Sequence, residues 1–430
     1  MHTLIVVVFI VGYLFIALEG TTHIHKSGIA LLMSAVCWTL YIASPEGSSE
    51  AFTAYVAETS ETILFLLGAM AIMEILDRNG CFNFLIGKLR TQSAKALLWK
   101  TMCVTFFLSA VLDNMTTSIL MIMMLRHLVS SREMRLFFAG IIIIAANAGG
   151  AFSPIGDVTT IMLWINGNVS TTGILRHLFI PSMICVLVPT FFVSMTLGKK
   201  HLPIHEESTS HSSFAESQRT LILGIVGVLG LMLVPLFRSL TGLPPFVGIM
   251  GVLALLWIIS EVSLSHDAKL SRREDLRVAE LVKHIDLSTI LFFLGILLSI
   301  GTLRETGTLA WLGNWIDTHI GNVYAVNAFI GVLSSVVDNV PLMAGCMSMY
   351  SIEPSTVNEA LQCYTQDGIF WQLLAYCAGT GGSLLIIGSA AGVVVMGLEK
   401  ISFGWYLRHF TLLALAGYAA GFLTLTLTTI

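Results

Sequence analysis

Three aspartates lie deep in otherwise apolar sequence: Asp113, Asp157 and Asp338. A charged side chain at the centre of a membrane costs at least ~2.5–3.5 kcal/mol, so each carboxylate needs a partner or a proton. The sequence places no Lys or Arg at a matching depth, which leaves a bound cation as the candidate partner. A carboxylate that is ionised with a cation bound and protonated without one makes the two occupants mutually exclusive.

The segment around Asp157 cannot form a continuous helix, because three glycines and a proline fall within residues 149–156. A break there frees backbone carbonyls, which hard monovalent cations prefer together with Asn, Ser and Thr oxygens. Residues 380–389 repeat this pattern of small residues near the other end of the chain. The oxygen-bearing residues of the two segments are Asn147, Ser153, Asp157, Thr159, Thr160, Thr380, Ser383 and Ser389.

A purely structural interpretation stays open for each aspartate. Asp is a favoured helix N-cap, and Met115 and Val340 begin what look like first helical turns after Asp113 and Asp338. Asp157 could equally hold its own broken helix together through a hydrogen bond. Capping and ion binding are compatible, and we predict direct ion or proton binding at all three aspartates.

Two serines and two glutamates are weaker candidates. Ser109 and Ser334 lie one turn before the aspartates of the two Asp-Asn pairs, although a membrane serine often bonds its own helix. Glu61 and Glu74 lie near the two ends of the third apolar run and could relay protons, or could simply face water.

These residues must be positioned by membrane-spanning helices. Runs of about 17–25 apolar residues cross a bilayer, and two further apolar stretches, 97–128 and 322–350, are interrupted at their centres by the Asp-Asn pairs. Each of these two stretches is predicted to form a re-entrant helical hairpin, which is tolerated at membrane depth when protein or a cavity surrounds it. The predicted spans are 4–19, 27–44, 61–77, 136–165, 174–197, 220–238, 244–263, 287–304, 369–398 and 405–428.

The basic residues set the predicted orientation. Loops 45–60, 166–173 and 351–368 contain no Lys or Arg, whereas the opposite side of the same topology collects 19 of the 22 basic residues. We therefore expect a multi-pass protein of the plasma (inner) membrane with both termini outside.

The two halves of the chain share landmarks in the same order. A Phe-rich Leu-Gly run, the Asp-Asn pair and the Gly-Gly break recur at offsets of 225 to 232 residues. Each half has five spans, one of them broken, and one hairpin, so the second half must be inverted in the membrane. This predicts an all-α polytopic protein with a first repeat at 1–197, a cytoplasmic linker at 198–219 and a second repeat at 220–430. Such inverted repeats are typical of secondary transporters, whose sites lie at the midplane.

Composition excludes several other classes of protein. Charged residues make up 11% of the chain, where a soluble domain has about a quarter, so the chain needs a lipid bilayer around it. The net charge of −4 and the absence of a basic patch argue against nucleic-acid binding. No Cys-x-x-Cys pair or deep His suggests a cofactor, a metal centre or an enzyme active site.

Three motifs resemble those of the NhaD sodium/proton antiporters, which belong to the ion transporter superfamily. They are residues 110–118 (AVLDNMTTS), 146–157 (ANAGGAFSPIGD) and 335–341 (SVVDNVP), and the similarity extends over essentially the whole chain. The resemblance implies a homodimer with a scaffold domain and a transport domain that moves as an elevator. It implies transport of Na⁺ (or Li⁺) in exchange for H⁺. The implied site residues are Asp113, Asn114, Asn147, Asp157, Thr159, Thr160, Asp338, Asn339 and Ser383.

The two half-sites are unequal, because Ser389 stands where the repeat would place a second Asp157. We therefore predict one sodium site in the first half, at Asp113, Asn114, Asn147 and Asp157. The second half would carry a proton or complete that site. The alternative is a sodium-coupled carrier of dicarboxylate or arsenite with the same fold, which two aspartates at the hairpin tips and the lack of a deep Arg disfavour.

Overall fold

The computed structural model describes residues 2–17, 24–82, 88–89, 91–197, 214–266, 276–354 and 359–429. Within those residues every regular element is a helix, apart from one isolated bridge between Glu353 and Thr365. Most of the predicted linker, residues 198–213, lies outside the described residues. The prediction of an all-α membrane protein is confirmed: seven of the described helices are long and apolar enough to span a bilayer.

The described residues of the first half form eight helices. They include a helix–turn–helix pair whose turn holds Asp113, and a helix that is interrupted between residues 151 and 158. The helices are α1 (His2–Ala17), α2 (Lys26–Ile42), α3 (Ser49–Arg78), α4 (Ala94–Ser109), α5 (Asn114–Leu128), α6 (Arg132–Ala151), α7 (Val158–Ile165) and α8 (Thr171–Leu197).

The described residues of the second half form eleven α-helices and two short 3₁₀ turns. Its helix–turn–helix pair has Asp338 in the turn, and its broken helix is interrupted between residues 381 and 390. Short 3₁₀ turns lie at Val282–His284 and Glu359–Tyr364. The helices are α9 (Phe214–Thr241), α10 (Pro245–His266), α11 (Val278–Leu281), α12 (Leu287–Glu305), α13 (Thr308–His319), α14 (Val323–Leu333), α15 (Asn339–Met349), α16 (Ile369–Gly381), α17 (Ala390–Glu399), α18 (Phe403–His409) and α19 (Thr411–Thr429).

One predicted boundary is wrong. The sequence predicts a loop at 45–60 before a span at 61–77, but α3 already begins at Ser49. The Ser48 hydroxyl accepts a hydrogen bond from the Ala51 backbone N–H at 3.2 Å and so starts the helix. Two glutamates and three alanines among residues 49–60 are good helix formers, so the polar residues of this stretch belong to a helical extension instead of a loop.

The helices divide by their packing into two groups. The first group, α1–α3 with α9–α12, packs around α2, α3 and α12, while the second contains α4–α8 and α14–α19. Contacts between the groups run mainly from α12 to α15 and from α3 to α7, and α13 packs against both α12 and α15. Both helix–turn–helix pairs and both broken helices belong to the second group, so all four polar interruptions lie in one packed body.

A buried ion cluster joins three helices at one end of this second group. Glu399, the last residue of α17, is 3% exposed and receives hydrogen bonds from Arg126 of α5 at 2.7 Å and Arg135 of α6 at 3.1 Å. Arg126 also donates to the Leu398 carbonyl, and Arg132 donates to the Lys400 carbonyl at 3.2 Å. The arginines therefore satisfy both the carboxylate and the carbonyls at the end of α17.

We expect Glu399→Gln to lower the thermal midpoint of the purified protein by more than about 5 °C, because it leaves two arginines next to an uncharged buried partner. Glu280→Gln is the matched control, since Glu280 forms an exposed pair with Lys283 at 2.6 Å. Exposed pairs contribute ~0–1 kcal/mol, so the control should keep the wild-type midpoint. Equal midpoints for both variants would show that the Glu399 cluster does not stabilise the fold.

Candidate functional site

Four helices of the second group begin with a capping side chain at the polar interruptions. The cap residues are Asp113 for α5, Asp157 for α7, Asp338 for α15 and Ser389 for α17. Each side chain accepts a hydrogen bond from a backbone N–H of its own first turn. The capping interpretation of the aspartates is therefore confirmed. Asp157 keeps its second carboxylate oxygen for other partners, whereas Asp113 uses both of its oxygens on Thr116.

Asp157 lies at the centre of the site, 2% exposed. Its Oδ1 caps α7 by accepting from the Thr159 backbone N–H at 3.2 Å. Its Oδ2 accepts from the amide of Asn114 at 3.1 Å and from the amide of Asn339 at 3.4 Å. The two Asp-Asn turns, one from each half of the chain, therefore meet on one buried carboxylate.

Asn147 extends this network to the second break. Its Oδ1 accepts from Asn114 at 3.1 Å, and its Nδ2 lies 2.9 Å from the hydroxyls of both Ser383 and Ser389. Asn147 is fully buried, and both serines are 2% exposed. The core of the site thus consists of one carboxylate, three amides and two hydroxyls drawn from both halves. The six residues are Asn114, Asn147, Asp157, Asn339, Ser383 and Ser389.

Each half has a matching hydrogen bond from a serine hydroxyl to a backbone carbonyl of the helix that leads into the break. Ser109 donates to the Ala146 carbonyl at 2.6 Å, and Ser334 donates to the Ala378 carbonyl at 2.7 Å. The two serines therefore bond an adjacent helix, neither their own helix nor the six-residue core.

Glycines allow the closest approaches at both breaks. A Cβ at Gly156 would meet the Ser109 carbonyl oxygen at 2.5 Å, and one at Gly388 would meet the Ser335 carbonyl oxygen at 2.6 Å. Only glycine fits such a contact without displacing backbone, which explains why the small-residue pattern recurs in both halves.

The other predicted site residues lie around the core without joining it. Asp113 uses both carboxylate oxygens on Thr116, at 2.8 Å to the backbone N–H and 2.5 Å to the hydroxyl. Thr160 donates to the Asp157 carbonyl at 3.0 Å, and Thr380 donates to the Tyr376 carbonyl at 2.6 Å. Thr159 is buried, and its hydroxyl, which has no hydrogen-bond partner among the described residues, lies two residues along the chain from Asp157.

Ser153 and the two glutamates are further away from the core contacts. The Ser153 hydroxyl accepts from the Ile155 backbone N–H at 3.3 Å within the break. Glu74 pairs with Arg78 at 2.8 Å on α3. Glu61 lines a separate cavity of about 230 Å³ between the two helix groups.

One expectation about charge is wrong. Lys26, at the start of α2, places its Nζ 3.9 Å from a carboxylate oxygen of Asp338, although the sequence predicts no basic residue at that depth. The helix α2 belongs to the first group and Asp338 to the second, so only their packing brings the two charges together. Asp338 therefore has a cationic neighbour, whereas the contacts of Asp157 are to polar neutral groups.

The arrangement suits a small cation better than an anion. Helix N-termini attract anions, but three of the four here are already capped by a carboxylate of the chain itself. The cavity that borders Asp113 and Asn114 measures about 60 Å³, which has room for very few water molecules. A 180° turn of each Asn amide would replace the donating nitrogen by an oxygen facing the same point.

These features define the class of the protein: a polytopic helical membrane protein in which two broken helices meet at a buried polar cluster. Comparison with solved structures supports the fold. The YdaH transporter of Alcanivorax borkumensis superposes with a TM-score of 0.54 at 13% identity, covering 93% of this chain and 96% of that one.

Sequence comparisons identify the family. The family model described as citrate transporter (CitMHS) matches residues 13–363. Sodium/proton antiporter 2 of Arabidopsis thaliana is 42% identical over 96% of each chain, and sodium/proton antiporter 1 of the same plant is 43% identical over 96% of this chain and 70% of its own. The Na⁺/H⁺ antiporter NhaD of Vibrio cholerae is 31% identical over 96% of this chain and 88% of its own. The chain belongs to the family of the NhaD-type antiporters and is a transporter, not an enzyme.

Proposed function

We propose that the protein exchanges sodium, or lithium, for protons across the membrane, and that Asp157 binds the cation and the proton in alternation. The observation that carries the proposal is the buried Asp157 carboxylate, which receives the Asn114 and Asn339 amides from both halves of the chain. The names of the relatives, sodium/proton antiporters in both plants and bacteria, support the same activity.

The alternation follows from the burial of Asp157. An ionised carboxylate removed from water needs a compensating charge or strong hydrogen bonds, and a sodium ion supplies the charge. When the ion leaves, a proton neutralises the Asp157 carboxylate instead, so the buried negative charge is always compensated. Asn147, Thr159 and Ser383 stand close enough in the network to complete a shell of oxygens around a dehydrated cation.

Asp113 and Asp338 hold the outer positions of the site. Each caps a helix with part of its carboxylate and adds negative charge beside an Asn that contacts Asp157. We assign Asp113 to the sodium site of the first half. Asp338, which lies near Lys26 and next to neutral Ser and Thr residues, carries a proton or completes that site.

The two helix groups suggest how the site moves. The group that contains both breaks is the transport domain, and the group built on α2, α3 and α12 is the scaffold against which it slides. We further propose the inverted arrangement of the halves, a homodimer formed through the scaffold, a location in the plasma (inner) membrane and both termini outside.

An anion carrier of the same fold is the alternative, and the name of the matching family model favours it. Sodium coupling to citrate, dicarboxylate or arsenite would need an anion beside Asp113, Asp157 and Asp338. A tricarboxylate would also need a pocket of several hundred Å³. The cavity at Asp113 measures about 60 Å³, and the cavity of about 910 Å³ that Ser153 and Arg238 line is bordered by none of the three aspartates.

Transport by purified protein in liposomes separates the two functions. We expect an inward sodium gradient to drive proton efflux in the absence of any organic substrate, as reported by a pH-sensitive dye inside the vesicles. Adding citrate or succinate should leave the rate unchanged. Protein-free liposomes serve as the control, and sodium-dependent uptake of labelled citrate without proton movement would overturn the proposal.

A further inference from the structure

The half helix α7 has a partner at the end opposite to the ion site. Its first turn is capped by Asp157, and it ends eight residues later, about 12 Å away, at Ile165. The guanidinium of Arg238 donates one hydrogen bond to the Trp164 carbonyl and a second, at 2.9 Å, to the Ile165 carbonyl. It also lies 4.8 Å from the centre of the buried Trp164 ring.

These contacts give Arg238 three ways to hold α7. The two carbonyls are at the helix end, beyond the last bonds within the helix, and the Trp164 carbonyl also accepts from the Gly167 backbone N–H at 3.2 Å. A cation is favoured at the negative end of the helix dipole. The guanidinium plane also interacts with the Trp164 ring, so replacing Arg by Lys would keep the charge but lose the two-pronged geometry.

Arg238 reaches α7 from the other helix group. It lies near the end of α9, which packs mainly against α10 and α3, whereas α7 packs against α15 and α16. The second half is arranged differently, because the end of α17 is bound by Arg126 of α5 and Arg132 at the start of α6. Those two arginines belong to the same group as α17, so their contacts can persist when the groups move relative to each other.

We propose that Arg238 is a positioning residue that ties the Asp157 helix to α9 in the conformation described and releases it when the transport domain slides. The inference rests on the proposed exchange function. The link favours the state in which Asp157 is held in place for the ion, and it opposes the movement that follows. Removing it should therefore weaken apparent ion binding without slowing turnover.

The test measures sodium-dependent exchange in proteoliposomes for Arg238→Gln, Arg238→Lys and the control Arg176→Gln, in which the replaced arginine is exposed on α8. We expect Arg238→Gln to raise the apparent KM for sodium at least about fivefold, with kcat equal to or above the wild-type value. Arg238→Lys should lie between Arg238→Gln and wild type, and the control should match wild type. A lower kcat with unchanged KM, or wild-type values for both constants, would overturn the proposal.

A second readout needs no transport. Spin labels at Leu240 of α9 and Thr172 of α8 report the distance between the groups, after Cys103 and Cys363 are replaced by Ser. Arg238→Gln should add a second distance population that wild type lacks, and an unchanged distribution would overturn the link.

Failure of the wild-type protein to exchange sodium for protons would instead count against the proposed function alone. If Arg238→Gln does not fold, a wild-type KM and distance distribution in Arg238→Lys would overturn the proposal.

Discussion

Replacing Asp157 by Asn is expected to abolish sodium/proton exchange, with a rate at least ~100-fold below wild type. The amide keeps an oxygen and the size of the side chain but loses the charge that balances sodium and cannot release a proton. Asn is also a good helix cap, so α7 should still form and the protein should keep its thermal midpoint. Exchange by the reconstituted variant and its thermal unfolding measure the two effects separately.

The control for this variant is Asp286→Asn, which makes the same chemical change at the exposed start of α12. It should exchange at the wild-type rate. Near wild-type exchange by Asp157→Asn would show that Asp157 acts only as a helix cap, which would contradict the proposed mechanism. A lowered thermal midpoint together with lost activity would likewise point to a role in folding.

Replacing Asp113 by Asn should also reduce exchange strongly, by at least ~10-fold, because the negative charge beside Asn114 is lost. Asp286 is again the matched control, and here the match is close. Both aspartates accept from the backbone N–H and the hydroxyl of a Thr three residues later, at 2.8 and 2.5 Å for Asp113 and at 3.1 and 2.5 Å for Asp286. If capping were the whole role of Asp113, the two substitutions would have equally small effects.

Exchange rates of the two variants, compared at equal protein density in the same liposomes, give the result directly. A strong loss in Asp113→Asn with an unaffected Asp286→Asn would assign the loss to the charge at the site. Wild-type exchange by both variants would contradict a role for Asp113 in ion or proton binding.

Local chemistry explains why much of the fold could be predicted from the sequence. Glycines and a proline between Asn147 and Asp157 prevent a continuous helix, and this rule needs no knowledge of distant residues. The Asp-Asn pairs mark helix starts for the same reason, since both side chains are good caps. The start of an apolar run was a poor guide at Ser48, where a capping side chain begins α3 before the run that defined the predicted span.

Contacts between distant segments could not be predicted in this way. The candidate list held all six core residues, but nothing in their spacing distinguishes Asn339, which reaches Asp157, from Thr380, which bonds the Tyr376 carbonyl. Two contacts depend on how the helix groups dock: the ion pair of Lys26 with Asp338, and the hydrogen bonds from Arg238 to the end of α7. A basic residue near the end of an apolar run was the only signal available for either contact.

The central claim is that sodium and a proton compete for Asp157, and counting protons at binding tests it most directly. Calorimetric titration of sodium into the purified protein, repeated in buffers of different ionisation enthalpy, gives the number of protons released per ion bound. We predict the release of at least about one proton per sodium ion by the wild-type protein under conditions in which the site starts protonated, and none by Asp157→Asn. Sodium binding without proton release in wild type, or the same release in Asp157→Asn, would contradict the claim.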